Sequence, residues 1–280
     1  YTNWVQFLFP SALYKTASSW VDVKVYFANR LVKPFMSAIT IPLTALVMSM
    51  TAGLFQPIGL ASEAAAPSFA TITAASILVV LLADFAYYVT HRWSHESEWL
   101  WPFHKLHHSA EVLTPITAKR NHPIFDLLLQ CVTILIVAPI SGVIFGLFGI
   151  FEIWTILGLN LLIAFMNVTG GAMRHSHIWL DFGPVLDRIF ISPAQHQIHH
   201  SMAVRHHDKN YGLTLAVWDW MFGTLYIPKS REELAFGVAD REGRAEPQVH
   251  NTLSEAYIVP FQESVGVLRT RRAYPEQDCA

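Results

Sequence analysis

The chain has 280 residues, 52% of them hydrophobic and only 14% charged, with a formal net charge of −2. Globular chains carry about a quarter charged residues, so this composition points to lipid, and a near-neutral balance with no basic run excludes a nucleic-acid partner. The two cysteines, Cys131 in an apolar stretch and Cys279 near the end, exclude a disulfide framework and an iron–sulfur or thiolate site.

In chain order, residues 1–33 mix aromatics with Lys15, Lys24, Arg30 and Lys33, which suits an amphipathic interfacial helix or a solvated lead-in equally. Residues 34–58 contain no charge and are long enough to span a bilayer, which takes about 20 apolar residues. A small-residue connection follows, and residues 64–83 are again uncharged, running through Asp84, Tyr87 and Tyr88 into His91. The next apolar block, 124–170, is too long for one span, and Pro139, Ser141 and Gly142 offer a turn within it. It is expected as a hairpin of two helices; a re-entrant course is the alternative. Asn121-His122-Pro123 and Ser192-Pro193 have the form of helix starts, with a capping residue ahead of an early proline, and Gly170-Gly171 breaks the fourth span.

The expected fold is therefore all-α and integral to the membrane. About four transmembrane helices form two hairpins, and a helical cap carries most of the histidines. Residues 1–228 would form the membrane-embedded domain, with the cap drawn from 91–122 and 172–228, and 229–280 a polar C-terminal tail. The far-side connections, about 57–68 and 139–151, contain no Lys or Arg, so every basic residue lies on the histidine side. By the positive-inside rule that side, tail included, is cytoplasmic, in a bacterial inner membrane or an endoplasmic reticulum.

Of the fourteen histidines, eight fall in two short windows. HRWSHESEWLWPFHKLHH supplies His91, His95, His104, His107 and His108, and HQIHH supplies His196, His199 and His200. Residues three or four apart share a helix face, so His91 pairs with His95, His104 with His107 and His108, and His196 with His199 and His200. Isolated histidines are common as surface or core residues, but three grouped faces of imidazole are costly to bury and repel when protonated. Imidazole suits zinc, copper, iron or nickel. Eight ligands exceed the roughly four to six that one such ion takes, so the arithmetic points to two metals.

HRWSH, HKLHH and HQIHH, in that order around hydrophobic hairpins, resemble the HxxxH, HxxHH and HxxHH boxes of the fatty acid hydroxylase/sterol desaturase superfamily. The likeness continues in RHSHIWL, SPAQHQIHHS, DKNYG and WDWMFGTLY and covers roughly residues 70–228. It implies a membrane-embedded di-iron oxygenase that uses O2 and two external electrons to hydroxylate or desaturate a C–H bond of a lipid. The family's box ligands correspond to His91, His95, His104, His107, His108, His196, His199 and His200, and His175 matches a further ligand ahead of the last box. His177 stands where relatives often carry Asn or another polar residue, and is open between a ligand and a group supporting one. His122, in the RNHP turn the family also favours, is open between a tenth ligand, a supporting role and a plain helix-start histidine. Zinc is a possible substitute for iron in a purified sample. With no fused cytochrome b5 domain in the sequence, electrons would come from a separate cytochrome b5-, ferredoxin- or rubredoxin-like protein with its reductase.

Glu96, directly after His95, is a candidate catalytic carboxylate that shuttles protons or orients an imidazole, against a plain surface glutamate. Asp84 and Asp219 are candidates for orienting ligands or for structural caps. His206 and His207 are expected in a solvated loop or supporting the site, and His250 in the tail outside it. The rival class is a membrane metal-binding or metal-transport protein without oxygenase activity. Transport needs ionisable residues at mid-membrane, and 34–58 and 127–151 have none. HExxH is absent, which disfavours a zinc metalloprotease. Sterol, fatty acyl, ether lipid and carotenoid substrates all fit the same constellation.

Overall fold

The computed structural model describes residues 3–60, 67–150 and 173–273. Among these the structure is helical, with three isolated bridges and no longer strand. Thr16 starts the first long helix, α1 (Ala17–Phe55), by accepting from the Ser19 amide at 3.0 Å. At 1.5 Å per residue its 39 residues extend about 58 Å, nearly twice a bilayer's hydrocarbon core. The two parts of α1 have different surroundings. Its first turns bury Val21, Asp22, Val25 and Asn29, whereas beyond Pro34 it turns Phe35, Ile39, Ile41 and Leu54 outward. The expected span at 34–58 is thus the distal part of a helix that begins 17 residues earlier and runs through both Pro34 and Pro42. Each proline removes one backbone bond, and neighbouring helices hold the two flanks in line.

Helix α2 (Phe69–Glu96), capped by Ser68, carries the second apolar run and ends with His91 and His95. Helix α3 (Trp101–His108) carries HxxHH. Helix α4 (Pro123–Phe148) is continuous through a π-turn at Thr133–Val137. The turn expected at Pro139, Ser141 and Gly142 is therefore a correction. The wider π-turn directly ahead relieves the crowding and missing donor of Pro139, and the helix stops instead at Gly149, whose φ of +65° suits a residue without a β-carbon. Gly142 and Gly146, a GxxxG pair, serve packing. A β-carbon at Gly142 would meet the Met48 carbonyl at 2.5 Å, and one at Gly146 would run into the Ala52 carbonyl. Membrane helices use such pairs for close backbone approach. His122, not Asn121, caps α4, its Nδ1 accepting from the Ile124 amide at 3.2 Å.

Among the described residues three helices, α1 continued to Ile58, α2 and α4, are long and apolar enough to cross a membrane. The expected fourth span and its Gly170-Gly171 break lie outside the described residues. Ala52, Ala75, Val79, Phe145 and Ile150 form the core between the three long helices. A second small core, Val21, Val25, Leu106 and Ala256, joins the start of α1 to α3 and to the C-terminal segment. The short helices α5 (Pro193–His199) and α6 (Val217–Phe222) follow.

Residues 229–273, expected as a polar tail, fold back onto the histidine layer. Helix α7 (Leu253–Ala273) packs on α3. Lys105 pairs with Glu246 at 3.1 Å and Glu263 at 3.0 Å, Phe103 stacks edge-on against Phe261, and the Tyr257 hydroxyl donates to Asn29 Oδ1 at 2.8 Å. The long charged and aromatic side chains of this segment cover one side of the histidine-bearing helix α3. That is why a polar composition does not mean a detached tail.

Candidate metal centre

Four segments deliver nine histidines to one place. The ligand atoms of His91, His95, His104, His108 and His199 lie within 4.8 Å of one another, as do those of His107, His175, His196 and His200. Helix periodicity explains the partition. In each HxxHH box the first and last histidines, one turn apart, serve one group, while the middle one, about 100° round the helix from the last, serves the other. His104 and His108 thus join the first group and His107 the second; His196 and His200 join the second and His199 the first. The groups adjoin through His108 and His200, whose rings stack at 4.4 Å.

Local sequence fixes these helices. Ser192 and Gln195 form a reciprocal capping box at the start of α5, with the Gln195 carbonyl accepting from the Ser192 amide at 2.9 Å. Arg120, fully buried, donates from Nε to the Leu106 carbonyl at 3.0 Å and from Nη2 to Ser109 Oγ at 2.9 Å, closing the C-terminal end of α3. Its Nη1 pairs with Asp22 Oδ1 at 3.0 Å.

Two rings are oriented by backbone carbonyls. His91 Nδ1 donates to the Tyr211 carbonyl at 2.7 Å and His199 Nδ1 to the Lys209 carbonyl at 2.8 Å. Each bond fixes the tautomer and leaves Nε2 as the lone-pair donor toward the centre. These carbonyls belong to DKNYG, where Asp208 and Asn210 both have φ of 57°, a conformation for which Asn and Asp are enriched. Asn210 braces the loop by donating to the Gln195 and Tyr226 carbonyls and accepting from the Tyr226 amide. The Asp219 carboxylate accepts from the Tyr211 and Gly212 amides, both at 2.8 Å. Asp219 therefore acts on His91 through Tyr211. Asp84 ties α2 to the 214–218 segment, accepting from the Thr214 and Leu215 amides and the Trp218 indole.

The donor set fits metal ions. His95, His108 and His199 each have a buried Nε2 without a hydrogen-bond partner. In the second group, Nε2 atoms crowd together at 2.9 Å between His175 and His196 and 3.2 Å between His107 and His175 and between His196 and His200. Burial, with added repulsion from neighbouring imidazoles, pushes His104, His107, His108, His196 and His200 well below the ordinary histidine range, and burial takes His199 down to about 4. Neutral imidazoles are the form that binds metal. Buried lone pairs turned on each other are satisfied by cations, and an all-nitrogen set suits iron, zinc, copper or nickel.

Of the eleven expected histidine ligands, His122 and His177 are not in these groups. His122 Nδ1 caps α4 and its Nε2 donates to the Tyr257 carbonyl at 3.3 Å, so both nitrogens are used locally. His177 Nε2 donates to the Phe7 carbonyl at 2.8 Å. Glu96 is half exposed and pairs with Arg92 at 2.7 Å, on a cavity that it shares with His95. His206 is buried against Glu232 at 3.1 Å and is not a solvated loop residue. His250, expected outside the site, is fully buried behind α3. The contributions of Arg120, Asn210 and the 209 and 211 carbonyls carry no signal in spacing, because each acts on or through backbone groups and side chains distant in the sequence.

Two cavities reach the histidines. One of about 590 Å³ is lined by His95, His108, His199 and His200 together with Glu96, Glu98, Asp208 and Asp240. The other, about 430 Å³, reaches His107, His175 and His196 past Val80, Ala83 and Leu129 of the long apolar helices.

The family model for fatty acid hydroxylase matches residues 76–224, which contain all nine clustered histidines. The chain belongs to the fatty acid hydroxylase family. It is similar to ornithine lipid hydroxylase OlsE of Rhizobium tropici, 30% identical over 165 residues, covering 59% of this chain and 46% of that protein. It is also similar to alkylglycerol monooxygenase of Homo sapiens, 30% identical over 174 residues (61% and 35% of the two chains). Delta(7)-sterol 5(6)-desaturase of Eremothecium gossypii is 26% identical over 204 residues (70% and 48%). This fatty acid hydroxylase family member thus spans less than half the length of these relatives. No solved structure matches it.

Proposed function

We propose that this protein is a membrane-bound di-iron oxygenase that inserts oxygen into, or removes hydrogen from, a C–H bond of a lipid. The observation that carries this is the pair of contiguous histidine groups, five and four ligand atoms each within 4.8 Å, in a family whose relatives include a lipid hydroxylase, a monooxygenase and a desaturase. His91, His95, His104, His108 and His199 would hold one iron, and His107, His175, His196 and His200 the other. Bound iron would supply the redox chemistry that lets O2 act on an unactivated C–H bond. For hydroxylation the balance is lipid C–H plus O2, two electrons and two protons, giving lipid C–OH and water.

The chain's own residues hold and orient. The Tyr211 and Lys209 carbonyls fix His91 and His199, while α3 and α5 divide their histidines between the two sites. Val80, Ala83 and Leu129, on the cavity beside His107 and His196, give it apolar lining that a lipid chain can follow from the long helices. The more polar cavity, with Glu96 at its edge, is the route for protons from water, and Glu96 is their carrier. Four spans with the histidines on the cytoplasmic side, and a separate electron-donor protein docking there, complete the assignment, supported by the distribution of Lys and Arg.

Lipid profiling by mass spectrometry, in cells with and without the protein, tests it. A gain of about sixteen mass units signals hydroxylation and a loss of about two desaturation. Neither change under aerobic, reductant-supplied conditions would rule the assignment out.

A further inference from the structure

Among the described residues two arginines, Arg120 and Arg174, are withdrawn from water, and they differ in one respect. Arg120 is fully buried with its guanidinium occupied by Asp22, Ser109 and backbone carbonyls. Arg174 is 5% exposed, and among the described residues its Nε has no hydrogen-bond partner and its guanidinium forms no ion pair, Asp84 and Asp126 included. Those acids are engaged elsewhere. Asp84 accepts from the Thr214 and Leu215 amides and the Trp218 indole, and Asp126 pairs with Lys33 at 2.6 Å. A guanidinium cannot shed its proton near neutral pH, and a buried charge without a partner is costly.

Arg174 lies on the wall of the 430 Å³ cavity that His107, His175 and His196 share, and Lys119 adds a second cation there. Val80 and Ala83 of α2 and Leu129 of α4 give the same cavity apolar lining, and Asp84 and Asp126, engaged as above, also line it. An unpaired guanidinium next to His175 in a cavity that also carries apolar residues of two long helices matches an amphiphile with an anionic head.

Resting on the oxygenase assignment above, we propose that Arg174 anchors the anionic head, carboxylate or phosphate, of the lipid substrate. A guanidinium makes charge-assisted bonds to either group. Arg174 directly precedes His175, so the head is held within a residue's length of the four-histidine group. The carbon that meets this group is therefore close to the head, not in mid-chain or at the far methyl. Arg174 acts as a specificity-determining residue, and loss of its charge removes the preference for anions.

The test measures binding to the full chain purified in uncharged detergent, by titration calorimetry, with three probes: myristate, dimyristoylphosphatidic acid and uncharged tetradecanol. At least one anion is expected to bind about 10- to 100-fold more tightly than tetradecanol, the range for hydrogen bonds to a charged group. Myristate alone identifies a carboxylate site, phosphatidic acid alone a phosphate site, and both a site for charge shared by the two. Arg174→Gln should abolish the preference and Arg174→Lys retain part of it. Equal binding of all three probes by the native protein, or a preference that survives Arg174→Gln, overturns the proposal. Native protein decides the first point whether or not the variant folds. Metal-replete protein that oxidises lipid without an anion preference rejects this inference alone. Protein that prefers anions but neither holds metal nor oxidises lipid rejects the oxygenase assignment alone.

Discussion

Asp22 and Arg120 meet at 3.0 Å with neither side chain exposed to solvent. The pair joins the buried start of α1 to the end of α3, because the same guanidinium donates to the Leu106 carbonyl and to Ser109. Thr117 adds a hydroxyl donated to Asp22 at 2.5 Å. A membrane helix is thereby tied to the helix that supplies His104, His107 and His108.

Removing one partner leaves the other buried and uncompensated. Arg120→Met or Asp22→Ala should each destabilise the protein by about 3–5 kcal/mol, with metal lost in parallel because α3 loses its terminal cap. Thermal unfolding in detergent with metal analysis checks this; an unchanged midpoint with full metal would show that the pair is dispensable.

The carbonyls that orient His91 and His199 depend on the Asn210 turn and the Asp219 carboxylate. Asn210→Leu and Asp219→Ala should weaken metal binding by roughly 10- to 100-fold, as disrupted orienting groups do elsewhere, without removing any ligand. Competition with a chelator of known affinity reads the change.

Gly146 and Gly53 give a contrasting pair. A β-carbon at Gly146 strikes the Ala52 carbonyl, whereas one at Gly53 meets nothing within 4 Å. Gly146→Leu should separate α1 from α4 and lower the melting temperature, at a cost of about 1–3 kcal/mol or more. Gly53→Ala should be neutral or stabilising by about 0.5–1 kcal/mol. Both midpoints come from thermal scans in one detergent.

Acid sensitivity follows from His122 and His250, which burial holds down at about 4 in the folded chain against 6.5 in the unfolded. The unfolded state takes up protons first. Their stabilising contribution is therefore complete above pH 6.5 and is lost as pH falls from 6.5 toward 4. At about 1.36 kcal/mol per unit, each ring accounts for roughly 3 kcal/mol at the acid limit. His250→Leu should flatten this part of the profile; a profile identical to the native one would contradict it.

Much of this was legible in the sequence. Eight of the nine clustered histidines, the apolar runs of α1 and α2 and the start of α5 follow from helix periodicity, charge content and capping chemistry, while His175 entered only through the family resemblance. The end of α4 was not, because Pro139 and Gly142 resemble a turn locally while a π-turn and a tight contact with Met48 keep the helix going. His122 and His177 were candidates on position alone, yet each nitrogen choice is settled by a carbonyl distant in the chain, Tyr257 or Phe7. Spacing encodes the split of each HxxHH box into an outer pair and a middle histidine. It does not encode that the outer pair of α3 shares a group with the middle histidine of α5 and the reverse, which depends on how the two helices face each other. The burial of His250 and the packing of α7 carry no sequence signal, because a polar segment can bury itself through ion pairs and aromatic contacts instead of an apolar stripe.

Metal content per chain, measured by elemental analysis on protein purified from iron-supplemented cells, bears most directly on the nine-histidine assembly. The native protein should carry two iron ions per chain, and His107→Ala and His104→Ala should each lose metal while the protein stays in the membrane fraction. A native content of one ion or none, or two ions retained in both variants, would contradict the account.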